Sequence, residues 1–428
     1  MKKFYLLAVM AFAIVSFTAC SDDDDNSSKE EITECPFCGQ EFKSEHLCLE
    51  HQNSCDTYQR REGDCSFIFP EIDASTPFEF TVDPENFDFS KWVSRLPDDT
   101  RISDLTIPGL HDAATYSYDG SITPTYVKDQ ALDYYDAWKW GARAFDLRLG
   151  YDSRRFQGSF EDRCKFMHGD NFAGSTLGVC YMHNFKIDIT GHFPTKEQLK
   201  DEFMILITKD EFHSEGAEDD NIQKLDVFRY FMRLMIQRYG ADSFIAYSPD
   251  LTVKDCRGKI ILFTRETEFT KDYSVAGVPS VPVTFIKNFP DDGTTDLTVY
   301  QNGTAGAKCQ AYVQDHYNIG SNAEPSKKYE YFTAALKNRK EKAPHMLFFN
   351  GMNGVQDKPS WDVCEFMNFR VPFDMMILDD PYKQQMGIVM TDFYGVTTYD
   401  HGWLWEERFF SGVEIAEMLT LHNFRIMK

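Results

Sequence analysis

Two apolar runs of this chain end in reactive polar side chains. IPGLHD (107–112) delivers His111 and Asp112, and GARAFDLRL (141–149) carries Asp146 and Arg148. An imidazole beside carboxylates can take up and release protons near neutral pH. A guanidinium is a permanent cation whose planar fork suits an oxyanion. Together they point to acid–base chemistry on an anion.

Such residues need a frame that presents strand ends. Apolar runs of strand length recur from residue 91 onward with helical segments between them: ISDLTI, ARAFDLRL, CKFMHG or VCYMHNF, EFMILITK, GKIILFTRE, CQAYVQDHY, HMLFFNG and MGIVMTDF. Continuous apolar runs are the mark of strands buried on both faces of a parallel sheet. Val127, Ala131, Tyr135 and Trp138 share one helical face, as do Leu225, Phe228, Met232, Met235 and Tyr239 before Gly240. The pattern predicts an α/β fold, a TIM-type (β/α) barrel of irregular form, whose catalytic mouth lies at the carboxyl ends of the strands. A doubly wound open sheet is the alternative, but no glycine-rich fingerprint supports nucleotide binding.

The two motifs, with the strands that follow, resemble the bacterial phosphatidylinositol-specific phospholipase C (X-domain) family over residues 91–425. The resemblance implies that His111 is the general base that takes the inositol 2-hydroxyl proton, and that Asp392, in MGIVMTDF, orients it. Arg148 would bind the phosphoryl oxygens, supported by Asp112 and Asp146. A second histidine should protonate the departing diacylglycerol oxygen. His168 in KFMHGD and His183 in CYMHNF compete for that role; His168 is preferred for its His-Gly pair, and the other would belong to an inserted hairpin closed by Cys164 and Cys180. Lys209 and Glu211 in ITKDE, Arg265 in GKIILFTRE, and Asp315 and Tyr317 in VQDHY match positions that line the inositol pocket. Calcium-using relatives carry Glu-x-Asp where this chain has Asp146 and Arg148, so the resemblance implies catalysis with no metal cofactor.

The amino-terminal region has a different character. Lys2 and Lys3 precede an apolar run at 4–17 that ends in Phe-Thr-Ala-Cys. This predicts a lipoprotein signal peptide at 1–19 and lipidation of Cys20, with simple cleavage or a retained anchor as alternatives; the run is short for a bilayer span. Residues 20–34, with four consecutive aspartates at 22–25, read as an acidic tether. Cys35, Cys38, His51 and Cys55 follow the spacing C-x2-C-x12-H-x3-C, which predicts a zinc-finger-like module at 35–55. In an oxidising compartment those thiols could pair as disulfides instead, for the chain has eleven cysteines. Residues 56–90 read as a linker packed on the 91–428 barrel.

The formal net charge of −24 over 428 residues disfavours nucleic acid and electrostatic adhesion to anionic membrane. Acyl chains would then supply membrane attachment, and the expectation is an exported lipoprotein of a bacterial cell envelope or surface. The leading reading is a phosphodiesterase that cleaves phosphatidylinositol-type lipids to diacylglycerol and cyclic inositol phosphate. The alternatives are a phosphodiesterase of the same fold for another phospholipid or glycerophosphodiester, and a noncatalytic surface module that binds headgroup or glycan.

Overall fold

The computed structural model describes residues 78–427, apart from 119–126, 153–157, 170–179, 212–222, 268–276, 278, 302–307, 321–322, 342–344, 356–359, 378–379, 397, 400–407 and 410, together with 33–34 and 41–42. The chain divides into Met1–Tyr58 and Gln59–Lys428. In the first unit, Thr33–Glu34 pairs antiparallel with Glu41–Phe42. The expected signal peptide, Cys20, most of the tether and the four zinc-ligand candidates lie outside the described residues.

The second unit is built on strands β1 (Phe78–Phe80), β2 (Thr106–Leu110), β3 (Ala144–Tyr151), β4 (Cys164–His168), β5 (Cys180–Asn184), β6 (Phe203–Asp210), β7 (Lys259–Thr264), β8 (Thr284–Lys287), β9 (Gly293–Gln301), β10 (Lys308–Asp315), β11 (Leu347–Gly351), β12 (Gly387–Thr391) and β13 (Arg425–Met427). Nine of them run in the order β2, β12, β11, β10, β9, β8, β7, β6, β3, and the pairing of β3 with β2 closes the barrel. Neighbours are parallel except at β9, which is antiparallel to both β8 and β10. The β4–β5 hairpin extends the sheet from β3 as an antiparallel flap. The expected α/β barrel is therefore present, with an extra antiparallel strand in its wall.

The principal helices are α1 (Tyr134–Lys139), α2 (Phe185–Gly191), α3 (Lys224–Tyr239), α4 (Ser326–Glu341), α5 (Ser360–Ile377) and α6 (Gly412–Leu421). Among the described residues no helix is long and apolar enough to cross a membrane. α3 follows its expected face: Phe228, Met232, Met235 and Tyr239 are buried, and Gly240 ends the helix at φ 84. α1 is shorter than the 127–138 periodicity predicts. Asp133 caps it by accepting the Asp136 N–H, while upstream the Asp129 and Gln130 N–H groups are taken by the Thr115 hydroxyl.

Alternation along the strands sorts core from site. Ile107, Ala144, Ile205, Ile207, Ile261, Phe263, Ala311, Val313, Ile388 and Met390 belong to one buried cluster inside the barrel, while Phe145, Leu147, Leu206 and Leu262 pack with α1, α2 and α3 outside it. Side chains two apart in a strand share a face. Continuing the interior face past the last apolar residue of each strand reaches His111, Asp146 with Arg148, Lys209, Arg265, Asp315 and Asp392. The strands thus bury their first half and present chemistry with their second.

Three expectations need correction, and a fourth gains detail. The run ISDLTI begins with a helical turn at Ile102–Asp104, and the strand is Thr106–Leu110. CKFMH and CYMHN are both strands rather than alternatives, and neither is in the barrel wall. Cys164 is a buried free thiol, so no disulfide joins it to Cys180; Cys256, Cys309 and Cys364 are free as well. The added detail for the expected linker is that its end contributes a strand: β1 pairs with β13, and Phe87 packs edge-on against Phe424.

Candidate active site

His111 leaves β2 with its backbone N–H bonded to the Thr391 carbonyl at 3.0 Å, which fixes the register of the seam between β2 and β12. Across it, His111 Nδ1 lies 2.9 Å from Asp392 Oδ1. A carboxylate on Nδ1 holds the imidazole tautomer with Nε2 as the working nitrogen. The chain turns sharply after each partner: Asp112 has φ 39 and Phe393 φ 47. For a bulky residue such as Phe393 this left-handed backbone costs on the order of 1–3 kcal/mol, and its N–H is held by the Asp129 carbonyl at 2.7 Å. Gln130 also staples the seam, donating to the carbonyls of His111 and Thr391 at 2.8 and 2.7 Å.

Arg148 is fixed by three carboxylates. Its Nε lies 2.7 Å from Asp112 Oδ1 and 2.9 Å from Asp146 Oδ2, Nη2 lies 2.8 Å from Asp146 Oδ2, and Nη1 lies 2.8 Å from Glu211 Oε1. The same Nη2 reaches to 3.4 Å from His111 Nε2. Burial works against the Asp146 carboxylate, but Arg148 and Arg265 hold it below the usual range. Lys209 Nζ sits 2.6 Å from Glu211 Oε1, and Arg265 Nη2 sits 3.5 Å from Asp146 Oδ1 with its guanidinium stacked 3.6 Å from the centre of the Phe289 ring. Asp315 ends β10 on the interior face of the barrel, and Tyr317 follows two residues on.

The two candidate second histidines are in different places. His168 Nε2 lies 3.3 Å from Asp112 Oδ2, an oxygen that is also 3.4 Å from His111 Nε2. Its Nδ1 is buried and makes no hydrogen bond, leaving that nitrogen for a substrate atom. His183 instead bonds Asp188 through Nδ1 at 2.8 Å. Of the expected residues, the structure gathers His111, Asp112, Asp146, Arg148, His168, Lys209, Glu211, Arg265 and Asp392 into one connected network.

One member of the site, and one buried lysine packed at the end of β10, escaped the sequence reading. Asp129 Oδ2 lies 3.8 Å from His111 Nδ1 and 3.7 Å from His168 Nε2. It comes from the irregular stretch before α1, where no strand-end signal exists to mark it. Lys328 on α4 is buried, donating to Gln314 Oε1 at 3.0 Å and to the His316 carbonyl at 2.8 Å, and burial pushes its ammonium down to about 8.

The charges are strongly interdependent. Burial opposes protonation of His111, but Asp112, Asp392 and Asp129 outweigh it and push the imidazole up to about 10. Burial and the neighbouring Asp392 raise the Asp129 carboxyl well above its ordinary value. Burial, with Arg148 and His111 nearby, lowers His168. His111, Asp112 and Asp129 bring three possible ligand atoms together for a cation, but Arg148 already places its fixed positive charge 2.7 Å from Asp112 and beside His111.

The barrel resembles that of solved bacterial phosphatidylinositol-specific phospholipase C structures. A mutant of phosphatidylinositol-specific phospholipase C from Staphylococcus aureus matches 77% of this chain and 98% of its own, with a TM-score of 0.55 at 19% identity. A second structure of the S. aureus enzyme, solved to study its membrane binding, gives 0.52 at 18% identity over 77% of this chain and 97% of its own. Among curated proteins, the 1-phosphatidylinositol phosphodiesterase of S. aureus strain Newman is 22% identical over 237 residues, 55% of this chain and 66% of the relative. The protein of the same name from Listeria monocytogenes is 30% identical over 180 residues, 41% of this chain and 48% of the relative. The chain is a homologue, at low identity, of these bacterial enzymes, and the matches span under two thirds of the curated relatives' length. No protein-family model matches it.

Proposed function

We propose that the barrel is a phosphodiesterase that cleaves phosphatidylinositol-type lipids by internal transfer, without calcium. The observation that carries this reading is the meeting of the His111–Asp392 pair with Arg148 at His111 Nε2. His111 takes the proton of the inositol 2-hydroxyl through Nε2, and that oxygen bonds to phosphorus. The bond from phosphorus to the glycerol oxygen breaks, and His168 gives the departing oxygen a proton. The products are diacylglycerol and a cyclic inositol phosphate. Asp392 stabilises the imidazolium formed at His111, and Arg148 pairs with the phosphoryl oxygens. Lys209, Arg265, Asp315 and Tyr317 would contact the polyol ring, which needs several convergent polar groups.

The chemistry needs His111 neutral and His168 charged, whereas the surrounding carboxylates push His111 up and burial with Arg148 pushes His168 down. Asp112 and Asp129 touch both rings and offer a route for the proton between them. The deciding experiment incubates the full chain with vesicles of phosphatidylinositol, phosphatidylcholine or phosphatidylglycerol in excess chelator, and follows diacylglycerol and cyclic inositol phosphate. Cleavage confined to the inositol lipid supports the reading. Cleavage of another headgroup would reassign the substrate, and binding without turnover would replace the enzyme with a binding module.

For the amino-terminal unit we propose lipidation at Cys20 after removal of 1–19, which would hold the barrel at a bacterial envelope membrane, and one zinc ion on Cys35, Cys38, His51 and Cys55. The support is the apolar run ending in Ala-Cys and the ligand spacing. Mass spectrometry of the intact protein tests both, through the acyl mass on Cys20 and the retained metal.

A further inference from the structure

The histidine absent from the catalytic network has a setting of its own. His183 closes β5, Asn184 caps α2 by accepting the Ile187 N–H, Asp188 lies one turn into the helix, and His192 follows it at the C-cap. Positions 188 and 192 are four apart and so share one helical face. The donor atoms of His183, Asp188 and His192 all lie within 4.8 Å of one another. The two imidazole rings are 5.7 Å apart, centre to centre.

The surroundings have the form of an outer ligand shell. Asp188 is fully buried, and its Oδ1 accepts from the Tyr116 hydroxyl at 2.8 Å while Oδ2 accepts from the Tyr134 hydroxyl at 3.1 Å. Asp133 Oδ2 lies 2.7 Å from His192 Nδ1, which leaves Nε2 as the ligand nitrogen. Metal-bound histidines almost always donate the other ring N–H to a carboxylate, a backbone carbonyl or water, and ligating carboxylates are themselves hydrogen-bonded. His183 Nδ1 and Asp188 Oδ1 share a proton at 2.8 Å, and a cation could take that proton's place. Two imidazoles and one carboxylate at ligand distances of about 2.0–2.2 Å suit zinc, with water in the fourth position.

We propose that His183, Asp188 and His192 bind one zinc-class divalent cation, separate from the catalytic site and from any metal on the amino-terminal cysteines. The ion would tie together two catalytic supports. The β5 strand carrying His183 pairs with β4, which bears His168, and Tyr116 lies in the turn Ala113–Ser117 just after His111 and Asp112. The His183 N–H also bonds the Ser117 hydroxyl at 3.1 Å. The cation therefore stiffens the flap without entering the reaction.

The test uses the full chain carrying Cys35→Ser and Cys38→Ser, so that thiolate-bound metal is removed, dialysed against micromolar zinc. One retained equivalent is expected, with a rise in melting temperature on zinc addition. Cobalt in its place should give visible d–d bands without thiolate charge transfer. His192→Ala in that background should bind zinc at least about tenfold more weakly and lose the zinc-dependent rise, while cleavage of inositol lipid in chelator is kept. Should His192→Ala fail to fold, His192→Gln decides the same point. No zinc in the parent, or equal zinc in parent and a folded His192 variant, overturns the proposal; loss of cleavage in the unaltered full chain tests the enzyme reading alone.

Discussion

His111 and His168 share one carboxylate oxygen: Asp112 Oδ2 lies 3.4 Å from the first imidazole and 3.3 Å from the second. A single acceptor between two rings makes their protonation states one coupled quantity. The base and the acid of the proposed reaction are therefore tuned together, and changes near either should move both.

His111→Ala is expected to abolish turnover of every substrate. Asp392→Asn should lower kcat strongly with little change in KM, because it misplaces the same imidazole. General acid–base assistance is worth roughly a hundred- to ten-thousandfold. Release of cyclic inositol phosphate reads both effects, and near-normal activity in either variant would remove the proposed base.

His168→Ala should be impaired on the natural lipid and largely restored on a substrate with a nitrophenol leaving group, which departs without a proton. His183→Ala should show no such selective rescue. The comparison is a ratio of rates on the two substrates for each variant; rescue in His183→Ala alone would transfer the acid's role to that residue.

Asp129→Asn removes a carboxyl 3.8 Å from His111 and 3.7 Å from His168. Asp129 favours the charged form of His111, so its loss lowers the imidazole's proton affinity. The limb of the kcat/KM pH profile set by His111 should move to lower pH, by about one unit. An unmoved profile would place Asp129 outside the proton economy of the site.

Chelation should leave cleavage by the barrel intact, since Arg148 holds the charge that a catalytic cation would supply. Activity lost in chelator and restored by calcium would overturn this. Zinc restoring melting temperature but not rate would mark the flap site as structural.

His422 provides a stability signature. Burial first, and then Arg425, hold its imidazole down to about 3 from an ordinary 6.5, while its Nδ1 contacts the Thr106 hydroxyl at 2.8 Å and its Nε2 the Tyr382 carbonyl at 2.9 Å. As pH falls, the unfolded chain takes the proton first, so this contribution is lost between about 6.5 and about 3. Each unit is worth about 1.4 kcal/mol, a few kcal/mol in all. His422→Gln should lose less stability across that window, read from urea midpoints against pH; parallel curves would assign the acid sensitivity elsewhere.

What was legible in the sequence follows from strand alternation. Ala144, Asp146 and Arg148 occupy one face of a strand, so a buried apolar start forecasts an inward-facing polar end. Asp129 and Lys328 obey no such rule: one sits in an irregular crossing, the other on a helix whose exposed neighbours hide it. β8 and β9 were both missed: Thr284–Lys287 is only four residues long, and GTTDLTVYQ alternates buried and open positions instead of reading as a continuous apolar run. The separation of His168 from His183 depends on a hairpin register, which leaves no trace in either motif.

The seam between β2 and β12 also governs when the enzyme can exist. β2 is the first barrel strand to be synthesised and β12 the last, and His111 and Asp392 meet only when these two pair. Every shorter nascent chain lacks the Asp392 carboxylate beside His111 Nδ1. A protease that removed residues from 387 onward would do the same, leaving an open edge at Thr106–Leu110 and a histidine without its partner. Barrel closure thus completes the proposed site, and the proposed lipid cleavage would report that folding had finished.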